Sequence, residues 1–150
     1  MPAFQFRLAS LQRYRESQRD VCRQALAQAL AHEAEFAGEK ARFEAEREGL
    51  LAEMRSINDG QQLSINQAAV RRYHAGQLAR QIVQVEQLRQ QAEAVVLKCR
   101  QGLVLADQAV KVLEKLSERQ LEEYLADQER RAAREREENW QAARLREPVQ

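Results

Sequence analysis

The chain has 150 residues, of which 31% are charged and 5% aromatic, with five Gly and two Pro. A globular domain with frequent turns carries roughly twice that Gly and Pro share, and Pro2 and Pro148 leave everything between them free of proline. Proline costs about 3 kcal/mol in a helix interior, so this composition excludes β and α/β architectures and predicts one or two long helices. The 24 basic and 23 acidic residues give a net charge of +1. Their signs alternate along the chain, as on a solvated helix surface rather than a nucleic-acid-binding face.

Residues 1 to 15 carry Arg7, Ser10, Arg13 and Arg15 and no acid, which superficially matches a transit peptide. The helical pattern nevertheless runs straight from this segment into the rest, which favours a structural reading. Helix one is expected over about residues 7–57. Along it one heptad position reads Cys22, Ala29, Phe36, Phe43, Leu50 and Ile57, after a start at Leu8 and Leu11. Such spacing lays apolar side chains on one helix face. Asn58-Asp59-Gly60 is the one cluster of strong turn formers, so a turn is expected over 58–63. Ser64 with Gln67 three residues later has the form of a capping box, with Leu63 placed to staple against Ala68.

Helix two is then expected over about 64–145. Its seam reads Val85, Leu88, Ala92, Val95, Cys99, Gly102, Ala106, Ala109, Leu113 and Leu116, alternating steps of three and four. That alternation over more than four heptads indicates a coiled coil. A flanking stripe of Val96, Leu103 and Val110 reads either as a second contact surface or as a local widening of the seam. A short turn makes the helices antiparallel, and placing Ile57 opposite Ser64 sets Phe36 against Val85, Leu8 against Leu113, and Cys22 against Cys99. Two small buried thiols are the simplest reading of that cysteine pair, a structural disulfide the alternative.

At 1.5 Å per residue helix one would run roughly 75 Å and helix two roughly 120 Å. The fold class is therefore all-α: a long antiparallel two-helix coiled-coil hairpin forming a single domain, with the C-terminal part of helix two overhanging from near Ser117. That overhang is rich in charge, and a lone helix is marginal in water. Its apolar residues Leu121, Tyr124, Leu125 and Trp140 suit a segment waiting for a partner.

Catalytic chemistry is not readable. Gly38, Gly49, Gly60, Gly76 and Gly102 stand alone with no phosphate-cradling Gly-Lys-Ser/Thr. His32-Glu33 opens like a zinc-protease helix, but the second histidine is replaced by Phe36. His32 and His74 fall several turns out of register, so no metal, no cofactor and no enzymatic activity are expected. No apolar run approaches the roughly 20 residues of a membrane span. Gly49 and Gly76, each costing about 1 kcal/mol relative to Ala, mark a close approach of backbones, a bend, or tolerated drift. Near the turn, Arg71, Arg72, Tyr73 and His74 form the most decorated surface, of a composition enriched at protein interfaces. A seam tyrosine between solvated arginines is the plainer reading.

Three segments carry a resemblance: Phe4-Gln5-Phe6-Arg7-Leu8-Ala9-Ser10-Leu11-Gln12-Arg13-Tyr14-Arg15-Glu16 at the start, Arg72-Tyr73 early in helix two, and Leu113-Glu114-Lys115-Leu116-Ser117-Glu118-Arg119 followed by Glu122-Glu123-Tyr124. Arg134-Glu135 and Glu138-Asn139 continue it. Together they resemble FliJ-type flagellar export proteins over nearly the whole chain. The resemblance implies an antiparallel coiled coil shaped like the central stalk of F-type ATPases. It would sit in the ring of the flagellar export ATPase, promote ring assembly and turnover, and contact the membrane export gate and export chaperones, without inserting into the membrane. It also implies residence in the cytoplasm at the inner-membrane face. Arg13, Arg15, Leu121, Tyr124, Leu125, Arg130, Arg131 and Arg134 would meet the ring, and Arg71, Arg72, Tyr73 and His74 the gate. The alternatives are the equivalent stalk of a virulence-type secretion system, a structural coiled coil dimerising through Val96, Leu103 and Val110, and an amphipathic helix protein lying on membranes. The near-zero net charge argues against the last.

Overall fold

A computed structural model describes residues 3–58 and 65–148, with backbone only at 57 and 58. The chain is helical, as its composition requires: α1 spans Ala9–Asn58 (50 residues) and α2 spans Ile65–Leu145 (81 residues), with no strand among the described residues. The expected turn over 58–63, the capping box at Ser64, the staple from Leu63 and the side chain of Ile57 lie outside the described residues. Before α1, the Ala9 amide donates to the Phe6 carbonyl at 3.1 Å and that of Gln12 to Leu8 at 2.9 Å. At the other end, Arg146 N–H closes the last turn onto the Ala143 carbonyl at 3.2 Å, and Arg144 sits where the helix dipole favours a cation.

The chain divides into two compact units, one comprising residues 1–19 and 105–150 and the other residues 20–104. In the second unit the two helices pack against each other and run antiparallel. Glu33 pairs with Arg89, Lys40 with Glu86, Glu46 with His74 and Glu53 with Arg71, so numbers rise along one helix as they fall along the other. The pairs total between 120 and 126, beside the 121 that the sequence register predicts. A hairpin fits this arrangement. In the first unit Arg19 meets Asp107 at 3.9 Å and the Phe4 ring lies 5.6 Å from that of Tyr124, again in antiparallel order.

The seam differs from the expected one by a rotation of α2. In the second unit Ala75, Leu78, Val85 and Val96 are buried, and Ile82, Arg89, Ala92, Cys99 and Leu103 half-buried. In the first, Val110 and Leu113 are buried and Ala106 half-buried. Steps of three and four connect all of these. Val96, Leu103 and Val110 are therefore part of the hairpin core and not a flanking stripe. Leu88 and Val95, placed in the core by the sequence reading, are 44% and 50% exposed. The reason is volume and polarity. The stripe through Leu88 and Val95 continues as Gly102 and Ala109 one way and as Gln81 and His74 the other, while its neighbour offers Ile82, Val96, Leu103 and Val110, with Arg89 among them half-buried and ion-paired to Glu33 and Glu86. Facing the second stripe inward buries more apolar surface at roughly 25 cal/mol per Å².

Other expected core positions sit on the seam. Leu8, Cys22, Phe36, Phe43, Leu50, Cys99 and Leu116 are half-buried and Val85 and Leu113 buried. Cys22 and Cys99 are free thiols. Gly49 and Gly76 do not mark a close approach, because a Cβ added at either would meet nothing within 4 Å.

Candidate interaction surfaces

In the unit of residues 20–104, the two edges of the hairpin carry opposite chemistry. One edge holds a charge network built by helical spacing. Glu86 and Arg89, three apart on α2, make a forked pair, with Arg89 Nε donating to Glu86 Oε2 at 2.9 Å and Nη2 to Oε1 at 2.8 Å. Lys40 Nζ reaches Glu86 Oε2 from α1 at 2.9 Å. Arg89 Nη1 also lies 3.5 Å from Glu33 and 3.4 Å from Glu93. The Arg89 hydrogen bonds, and after them the one from Lys40, hold the Glu86 carboxyl down from the usual 4.5 to about 2. The same pairing pushes the Arg89 guanidinium up, so it stays charged throughout. The sequence reading missed this network, although a glutamate three residues before an arginine is its visible signature.

The other edge is a shallow apolar groove lined by Ala29, His32 and Phe36 of α1 and Leu88, Gln91, Ala92 and Val95 of α2. No side chain in this lining is a carboxylate, lysine or arginine. His32 is exposed beside Phe36, ring centroids 6.3 Å apart.

The gate candidates lie in the same unit. Arg71 is half-buried and 3.8 Å from Glu53, His74 is 3.6 Å from Glu46, and Arg72 is exposed. Tyr73 is 64% exposed, its hydroxyl accepting from Gln77 Nε2 at 2.9 Å. Exposed tyrosine and arginine can contact a partner without unfolding anything.

The ring candidates all belong to the other unit. Arg13, Arg130 and Arg134 are exposed, and Arg15 is half-buried with a 3.4 Å hydrogen bond to Gln18. Arg131 pairs with Asp127 at 3.1 Å. Leu121 and Leu125 are 39% and 53% exposed. Tyr124 is half-buried against Phe4, a contact that ties the opening segment to α2. Every residue from Glu129 to Pro148 is exposed, including Trp140, over whose ring the Arg144 guanidinium stacks at 4.9 Å.

Among the described residues no group of three or more His, Cys, Asp or Glu side chains is arranged to hold a metal ion, and no helix is long and apolar enough to cross a membrane. No curated protein and no solved structure matches the chain significantly. The family model described as flagellar FliJ protein matches residues 4–141, which takes in the Phe-Gln-Phe-Arg-Leu opening and the Leu-Glu-Lys-Leu-Ser-Glu-Arg segment. Two long helices, an antiparallel seam and this match over most of the length together show that the chain belongs to the flagellar FliJ protein family, a family of coiled-coil export-apparatus components rather than enzymes.

Proposed function

We propose that this protein is the stalk of a flagellar export ATPase. In this reading it acts in the cytoplasm, peripheral to the inner membrane. It promotes assembly and ATP turnover of the ring and connects it to the export gate and to export chaperones, and so serves flagellum biogenesis and motility. The observation that carries it is the C-terminal part of α2. From Glu129 to Pro148 every side chain is exposed, although an isolated helix of that kind gains little from its own ion pairs. A helix maintained there is explained by an overhang that folds against a partner.

The chemistry suits a ring contact. Arg130, Arg131 and Arg134 can make charge-assisted hydrogen bonds to carboxylates on ring loops, Leu121 and Leu125 supply apolar anchors, and Arg13 and Arg15 extend the basic surface. A single asymmetric stalk touching identical subunits unequally biases their nucleotide states one after another. The exposed Arg72, Tyr73 and His74, with Arg71, would face the export gate.

The test mixes the purified protein with the export ATPase of the same organism and follows light scattering and ATP turnover together. The full-length chain should promote both, and a chain truncated after Leu116 should promote neither. Turnover that ignores the full-length chain would refute the reading. The triple charge reversal Arg130→Glu, Arg131→Glu, Arg134→Glu should reduce stimulation with helicity by circular dichroism unchanged. A parallel loss of helicity would make these residues structural.

A further inference from the structure

Cys22 and Cys99 are free, half-buried thiols that the stalk reading leaves without a role. Both lie on the packed faces of the unit of residues 20–104, and the contacts of that unit set them level with each other. Ala29 and Ala92 line one groove, and one turn further on Glu33 reaches Arg89 at 3.5 Å. From Ala29, one heptad back along α1 is Cys22; from Ala92, one heptad forward along α2 is Cys99. The helices run antiparallel, so the two steps move the same way along the hairpin and end in one layer. A heptad is close to two full helical turns, so each cysteine keeps the inward face of its alanine. The layer between is apolar, with Leu26 half-buried on α1 and Val96 buried on α2.

We propose that Cys22 and Cys99 are a reversible dithiol–disulfide pair, a redox modification site that staples α1 to α2 within the hairpin. Packed helices stand with axes about 8–10 Å apart and carry Cα atoms about 2.3 Å off axis, so inward-facing Cα atoms of one layer come within the roughly 7 Å that a disulfide spans. The oxidant is a low-molecular-weight disulfide. One cysteine thiolate attacks it, forming a mixed disulfide and releasing one small thiolate. The other cysteine thiolate then attacks the protein sulfur of that adduct, closing the Cys22–Cys99 bond and releasing the second small thiolate. The pair loses two electrons and two protons, and the small disulfide is reduced to two thiols. Half burial leaves a sulfur open to a small reagent, whereas the thiol of a second chain reaches a seam position poorly. The facing sulfur resolves the adduct at high effective concentration.

The inference does not depend on the stalk assignment, and its test uses the full-length chain alone. Incubated with oxidised glutathione and weighed intact without reductant, the chain should lose about 2 Da and carry no glutathione. Closure should raise the thermal midpoint by roughly 5–10 °C, and dithiothreitol should reverse both changes. Cys22→Ser and Cys99→Ser should each trap one glutathione adduct at the remaining cysteine and show no such rise. A chain carrying Cys99→Ser with Leu97→Cys keeps two thiols but moves one to the exposed back of α2 (Leu97 is 55% exposed), and it should not close. Circular dichroism checks that each variant keeps its helicity. In the unaltered chain, two glutathione adducts, two thiols still open to maleimide, or a cross-link between chains overturns the proposal. Equal closure of the chain with Leu97→Cys overturns the shared layer on which the proposal stands.

Discussion

Gly49 and Gly76 lie inside helices, with open space where a Cβ would sit. Glycine in a helix interior costs about 1 kcal/mol relative to alanine. Gly49→Ala and Gly76→Ala should therefore each stabilise the protein by about that amount, raising the thermal midpoint in calorimetry. A decrease at either position would reveal a bend that needs glycine. Glu86 gives a second expectation at this scale. Its carboxyl is held at about 2 in the folded chain against 4.5 ordinarily, so the stabilisation it contributes is complete above pH 4.5 and is lost as pH falls toward 2. Glu86→Gln should reduce the midpoint shift between pH 6 and pH 3 relative to the unaltered chain, and an unchanged shift would show that other carboxylates govern acid unfolding. Pairing of this kind was legible as spacing on one helix, Glu86 before Arg89. The reach of Lys40 and Glu33 from the other helix was not, because side chains on separate helices meet only once a register is chosen.

Each helix buries a seam in steps of three and four, and the buried members of α2 are the positions where truncation should be costly. Leu78 is 2% exposed. Leu78→Ala should cost about 2–5 kcal/mol by removing buried methylene groups and leaving a cavity. Leu97→Ala, at an exposed site, should stay within about 0.5 kcal/mol. Urea unfolding of the two variants compares them directly, and equal effects would move the seam. The alternation of apolar residues made the helices and their antiparallel order readable. It did not decide between the Val96, Leu103, Val110 stripe and the Leu88, Val95 stripe, because both satisfy the same heptad. Moving one position along a helix turns the face by about 100°, so one choice of stripe exchanges core for surface.

For the molecule as a whole, membership of the flagellar FliJ protein family and the exposed C-terminal part of α2 are the two observations behind the proposed stalk role. The truncation after Leu116 belongs to this scale. It should abolish stimulation of the export ATPase while the remaining helices keep their ellipticity per residue, and simultaneous unfolding would mean that the removed segment stabilises the hairpin itself. The sequence by itself determined that the chain is two long helices and which family it joins. Those properties follow from local propensity, from Gly and Pro placement, and from short motifs that require no partner to be read. Only the tertiary structure decided which stripe of α2 is core, that Leu88 and Val95 flank an open groove opposite a charged edge, and that Gly49 and Gly76 face empty space. Each of these depends on how much volume and charge the opposite helix presents at a given level, and heptad spacing along one helix carries no record of it.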